Sequence, residues 1–232
     1  MAASAPENDY VHRVARGLED LTGRATTIMT RNVADFERNY ASWEPTAHLA
    51  TEAAFAPECL VVAIGENVRA FPDDEARAAF RAAFAGLLGL FLDGRADAPK
   101  TVVRGVFWPN GDKDAVMASV AEDFGAAFVA ADLGDVSGMQ AGSALFAHNG
   151  VARHPGDAGM GAIARHILVK FRELYATDVI TAPDWRGETW SPAGRETENH
   201  IAFLDTQEGT TIASPCGNLH AVPWGFAEMV LR

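Results

Sequence analysis

Two short segments carry residue types that could do chemistry together. His154-Pro155-Gly156-Asp157-Ala158-Gly159-Met160 runs from a loop directly into a helical pattern, and Ile64-Gly65-Glu66-Asn67-Val68 ends a continuous apolar run. An imidazole with a pKa near 7 can take a proton from an attacking hydroxyl, and a carboxamide can donate to an oxygen on which negative charge develops. Acyl transfer needs both, and loss of one oxyanion donor costs about 100- to 1000-fold in turnover. Each residue also has a plain structural reading. His-Pro is a common turn, Asn67 is of a type that accepts positive φ, and Asp157 suits the N-cap of a helix better than the role of an acid.

The elements that must position these residues are legible from periodicity. Tyr10, Val14, Leu18 and Leu21 recur at helical spacing before Gly23, a stop signal, and a short strand is expected over 25–31. The polar segment 32–43 reads as helical. Leu60-Val61-Val62-Ala63-Ile64 is the unbroken apolar run of a parallel strand covered on both faces. Phe80, Phe84, Leu87, Leu88 and Phe91 mark one face of a helix over 73–92. A strand follows at 101–107, then a helix carrying Val116, Val120 and Phe124 and a strand at 127–132. A last helix carries Met160, Ile163, Ile167, Phe171 and Leu174.

This alternation predicts an α/β domain over 1–176 with a doubly wound parallel sheet, whose ligands bind at the carboxyl ends of the strands, in the loops after Ile64, Phe107 and Asp132. The series opens with a helix, where a strand of the same sheet would normally come first, so a first strand is expected to be missing. Residues 177–232 read as a β-rich C-terminal extension, either packed on the sheet or part of a second domain. Pro183, Trp185, Gly187, Trp190, Pro192 and Gly194 crowd its first part, and alternating segments follow at 200–205 and 210–213.

The His-Pro block opening the last helix and the Gly-x-Asn block after the central strand resemble the SGNH hydrolase (GDSL-like lipase/esterase) family over roughly residues 10–176. The resemblance implies a flavodoxin-like three-layer αβα fold and hydrolysis of an ester, with acetyl or short acyl groups on a carbohydrate as implied substrates and no cofactor. It implies His154 as general base and the Asn67 side chain as oxyanion donor. Gly65 of the same block, with Ala34 or Asp35 near the family's second block, are the main-chain donor candidates.

Three departures stand beside it. No Gly-Asp-Ser or Gly-Asn-Ser is present, and Ser4, Ser42, Ser119, Ser137, Ser143, Ser191 and Ser214 all lack the expected setting at a strand end. Val151 occupies the position of the triad acid, three before the histidine, within Asn149-Gly150-Val151. The second-block glycine has no counterpart over 32–35. The missing strand and the missing serine are therefore expected to be one fact, a segment lying upstream of Met1, and the chain without it is expected to turn over little substrate. The rival expectation is a non-catalytic binding domain with the same fold.

A chain of 232 residues with 48% hydrophobic and 22% charged residues can bury a large core, while a net charge of −12 disfavours nucleic acid and anionic membranes as partners. No signal peptide or spanning segment is visible, so a cytoplasmic location is expected unless the true start lies upstream. Cys59 and Cys216 offer no disulfide framework, and Cys59, beside an apolar strand, reads as a buried small hydrophobe. His200, Cys216 and His220 are a weak metal set without a paired Cys-x-x-Cys. Trp185, Trp190 and Trp224 suit the core of the extension better than a sugar platform. No phosphate-binding glycine motif occurs.

Overall fold

The computed structural model describes residues 2–142, 144–181, 198–205, 210–213 and 219–222. Its helices are α1 (Tyr10–Thr22), α2 (Ala34–Asn39), α3 (Pro45–His48), α4 (Ala50–Phe55), α5 (Asp74–Leu92), α6 (Gly111–Asp123), α7 (Asn149–Ala152) and α8 (Asp157–Thr181). Its strands are β1 (Ala25–Asn32), β2 (Cys59–Ala63), β3 (Lys100–Arg104), β4 (Ala127–Val129), β5 (Glu198–Asp205), β6 (Thr210–Ala213) and β7 (Leu219–Val222). Local signals fix several boundaries. Asp9, Asp73 and Asn110 each accept from the backbone N–H three residues on, capping α1, α5 and α6. Gly23 ends α1 in the left-handed conformation.

β1, β5, β2, β3 and β4 lie side by side in that order in one parallel sheet, and β6 and β7 form a separate antiparallel pair. Every residue of β2 is buried because both faces are covered. Cys59, Val61 and Ala63 enter a core with Val14 and Leu18 of α1 and Ile163, Ile167 and Phe171 of α8. Leu60 and Val62 enter the opposite core with Phe80, Phe84 and Leu88 of α5 and Val116 and Val120 of α6. The doubly wound α/β sheet expected from the alternating pattern is therefore the architecture. Among the described residues, no helix is long and apolar enough to cross a membrane.

The expectation of a missing strand is corrected. The place beside β1 is filled by β5, which pairs with β1 on one side and β2 on the other. Numbered from β5, the strand order reads 2-1-3-4-5, the flavodoxin-like arrangement; the chain reaches the first strand of that arrangement last. The boundary drawn at 176 falls inside α8, and residues 198–205, assigned to the extension, are an inner strand of the sheet. A local sequence pattern reports how a strand is covered and not which strands flank it, so the apolar run Ile201-Ala202-Phe203-Leu204 was the available clue.

β3 and β4 end earlier than periodicity suggests, at Arg104 and Val129, and the residues beyond them form loops. Trp185, Trp190, Trp224, Cys216, Ser143, Ser191 and Ser214 lie outside the described residues. His200 and His220 are described only as strand positions, in β5 and β7.

Candidate functional site

In register across the carboxyl end of the sheet stand Asn32, Asp205, Ala63, Arg104 and Val129. Parallel residues in register share a face, and Ala63 belongs to the α1/α8 core, so Asp205 and Arg104 flank a small side chain on that face. Both are completely or almost completely buried, at 0% and 2% exposure. Buried charges must be paired, and these are. Tyr10, in the first turn of α1, donates to Asp205 Oδ2 at 2.5 Å. Arg104 donates through Nη1 and Nη2 to Glu66 Oε1 at 3.2 Å each, and through Nη1 to the Gly105 carbonyl at 2.9 Å. The same Glu66 oxygen accepts from Phe107 N at 2.7 Å, which ties the loop after β2 to the loop after β3. Burial, then the charge of Asp205, pushes the Tyr10 hydroxyl well above its ordinary pKa. Tyr10 therefore remains a hydrogen donor at any working pH.

Next to this network the connections diverge. β3 leads to α6 on one face and β4 leads to α8 on the other. Trp108, four residues past β3, and His154, three residues before α8, meet there edge to face with centroids 5.2 Å apart. His154 Nδ1 lies 2.5 Å from the Gly150 carbonyl oxygen. A carbonyl can only accept, so Nδ1 carries the hydrogen and Nε2 keeps its lone pair. Burial lowers the pKa of His154, partly opposed by the Gly150 bond, so the ring is neutral near pH 7. The indole Nε1 of Trp108 is buried with no hydrogen-bond partner among the described residues.

The glycines after His154 are there for close approach. A Cβ on Gly156 would lie 2.8 Å from Ala141 Cα, and one on Gly159 would lie 2.4 Å from the Met139 carbonyl. Residues 139–141 can thus lie against the start of α8, where Gly156 N donates to Met139 O and Ala141 N to His154 O. Asp157 is not the N-cap. The Gly156 carbonyl accepts the first helical bond, from Met160 N, and the Asp157 carboxylate accepts from Ser4 N, Ser4 Oγ and Asn8 Nδ2 instead.

On the other side of the same edge, Asn67 faces α2. Its Nδ2 donates to Glu37 Oε2 at 2.6 Å and its N–H to the same oxygen at 3.2 Å, while Gly65 N donates to Glu37 Oε1. Gly65 has φ +108, and a Cβ there would lie 2.6 Å from Val106 Cγ1, so only glycine fits this turn. The Lys113 ammonium, its pKa lowered by burial, holds the Gly65 carbonyl at 2.8 Å. Glu37, Arg38, Asn39, Tyr40, Asn67 and Arg69 are among the residues around a groove of about 580 Å³.

Asn67 and His154 therefore share one end of the sheet, as expected for loops following its strands, but they turn toward different helical layers. Three of the four expected oxyanion donors are committed within the chain. The Asn67 amide and Gly65 N–H serve Glu37, and Ala34 N–H serves Asn32 Oδ1 at 2.7 Å. Asp35 uses its carboxylate to accept from Phe36 N and from Trp43 Nε1. Asn67 is not at positive φ either, so the plain turn reading of it is corrected as well. Cys59 is buried, 3.3 Å from the Tyr175 hydroxyl, with its thiol pushed up to about 12 by burial. It is the inert small residue expected.

Glu37, Glu66, Arg104, Trp108 and Asp205 were not singled out by sequence. The signal that could have found Arg104 and Asp205 is a charged residue directly after an apolar strand, a position at the ligand-binding end of the sheet. No group of three or more His, Cys, Asp or Glu side chains that could hold a metal occurs among the described residues. In comparisons with protein-family models, curated proteins and solved structures, the chain matches none.

Proposed function

We propose that this chain is an ester hydrolase of the SGNH type in which His154 acts as general base. The observation that carries the reading is the state of its imidazole: neutral, with Nδ1–H fixed on the Gly150 carbonyl, which makes Nε2 the basic nitrogen, and edge-on to Trp108 beyond the carboxyl end of the sheet. In the proposed step a water oxygen bonds to the acyl carbon, one of its protons passes to His154 Nε2, the carbonyl electron pair moves onto oxygen, and the acyl group is later released as the acid. Collapse then expels the alcohol, which receives the proton from the imidazolium. Acetyl or short acyl esters of carbohydrates are the proposed substrates.

A second reading, a binding domain without turnover, is favoured by one specific observation: the Asn67 amide and the Gly65 N–H, which would have to meet an oxyanion, are held by the Glu37 carboxylate. One experiment separates the two. Turnover of aryl acetates and acetylated sugars by the whole chain is compared with that of His154→Gln, after equal thermal stability has been verified. The hydrolase reading expects a loss of about 100- to 10,000-fold. Activity that is absent in the parent, or equal in the variant, overturns it.

A further inference from the structure

Residues 2–8, which lead into α1, touch the chain on both flanks of His154. Ala2 is 1% exposed and packs in a small apolar cluster with Phe146, Val151 and Ala152, so that it meets the turn just before the histidine. Just after the histidine, at the first position of α8, the Asp157 carboxylate accepts from Ser4 N at 2.8 Å, Ser4 Oγ at 2.6 Å and Asn8 Nδ2 at 3.3 Å. Asn8 Nδ2 also donates to Ser4 Oγ at 2.9 Å, which closes the set. The segment is itself anchored. Ala3 enters the core between α1 and α8, the Asn8 carbonyl accepts from Arg13 Nε at 2.7 Å, and the Glu7 carbonyl accepts from Arg16 Nη2 at 2.6 Å. Both arginines belong to α1, so the segment ties the His154 loop to α1 and, through Tyr10 and Asp205, to the sheet.

Between these two contacts lies the part of the site least able to support itself. Gly150, whose carbonyl fixes His154 Nδ1, belongs to α7, a helix of four residues. A helix so short has no stability of its own in water, because nucleation costs more than one turn of hydrogen bonds returns. Its place comes from what packs on it: Ala2 against Val151 and Ala152, and Gly142 N, which donates to Ala152 O at 2.8 Å. Loss of the first support frees the carbonyl that sets the imidazole. Hydrogen bonds among part-exposed groups add little to global stability, so the consequence of the Ser4, Asn8 and Asp157 set is local.

We propose that residues 2–8 form a strap that positions the His154 imidazole, with Ala2 seated against α7 on one flank and Asp157 held by Ser4 and Asn8 on the other. The proposal rests on the reading of His154 as general base. Ala2, Ser4, Asn8 and Asp157 are positioning residues: they act through the Gly150 carbonyl and the start of α8 and take no part in the chemical step.

The test follows the imidazole nitrogen NMR shifts of His154 in the whole chain at neutral pH, where they report which ring nitrogen carries the hydrogen. The parent should show one tautomer, with the hydrogen on Nδ1. Asp157→Ala and Ala2→Asp, which release the strap from opposite flanks, should each give a mixture of the two tautomers while the amide shifts of β2 and β3 stay in place. Asp157→Asn keeps a carboxamide oxygen as acceptor and should recover most of the parent pattern. In aryl acetate turnover the two releasing variants should lower kcat by about ten- to a hundredfold, with KM changed less. An unaltered tautomer in both variants overturns the proposal. So does a change in only one of them, which would be an effect local to that substitution, and so does an altered tautomer with kcat unchanged. If the parent has no turnover, the hydrolase reading falls, and the tautomer measurement still decides whether the strap sets the ring.

Discussion

The carboxyl end of this sheet holds two regions built in opposite ways from similar materials. Around Asn67, three donors converge on one buried carboxylate, and the turn is fixed by a glycine that no other residue can replace. Around His154, one ring nitrogen meets one carbonyl, an indole stands edge-on, and the indole N–H has no partner among the described residues. The first region has spent its donors on itself. In the second, the Gly150 bond fixes the tautomer in which Nε2 is the basic nitrogen. Residue type says what a side chain can donate or accept; only the fold says whether another part of the chain has already taken it.

Glu66 stands between the two regions, next to Asn67 in sequence and bonded to Phe107, the neighbour of Trp108. The largest effect on the comparison should therefore come from its partner. Arg104→Ala leaves Glu66 and Asp205 buried beside an empty place, and unfolding in urea should show a loss of about 3–5 kcal/mol, with NMR shifts moving in both regions. A loss below about 1 kcal/mol, or changes confined to one region, would show that the two are not held by a common ion pair.

Glu37→Ala should act on one region only. It strips the acceptor from three donors, at a cost of about 2–4 kcal/mol, and Glu37→Gln, which keeps one carbonyl oxygen, should cost less. The His154 resonances should stay where they are in both variants. If they move, the independence of the two regions is lost.

The smallest expected effect is a pH dependence with a defined sign. The folded pKa of His154 is depressed, so the unfolded chain binds the proton more readily. Its contribution to stability is present above the unfolded value, about 6.5, and is lost as pH falls below it. His12 is an internal contrast. Its hydrogen bond to Asp9 raises its pKa, so its contribution is present below about 6.5 and is lost as pH rises through the folded value. Imidazole titration by NMR should therefore find His154 below 6.5 and His12 above it. The reverse order would remove the argument for a neutral base.

Most of the layer structure was legible in sequence because it is written in local periodicity. Phe80, Phe84, Leu87, Leu88 and Phe91 are all fully buried on the one face of α5 that their spacing defines, and Leu60 to Ile64 are buried as an unbroken apolar strand should be. The site was less legible, for two physical reasons. Hydrogen-bond partners such as Glu37 with Asn67, 30 residues apart, follow from how elements pack and leave no mark on either segment. Strand neighbours are not local either: Ile28 lies beside Ile201, and neither sequence context names the other. The His-Pro-Gly-Asp block was found by its letters, but the structure assigns its glycines to close contact with residues 139–141 and its aspartate to Ser4 and Asn8.

The late arrival of β5 also bears on how the molecule comes to be folded. β1 finds no partner in the sheet until β5 is present, and the pairing of Ala25 with Glu198 closes a loop through nearly the whole domain. β2, β3 and β4 can pair among themselves much sooner. Contacts so distant along the chain incur their loop-closure entropy before any pairing rewards it, and slow the search. On a ribosome, where residues emerge in order, the first helix and strand must wait with an unpaired edge while some 165 further residues, counted from Asn32 to Glu198, are made. The strand that carries Asp205 into the carboxyl end thus also acts as the lock of the sheet, and a chain halted before it would leave β1 and β2 with open edges of the kind that chaperones shield and aggregates extend.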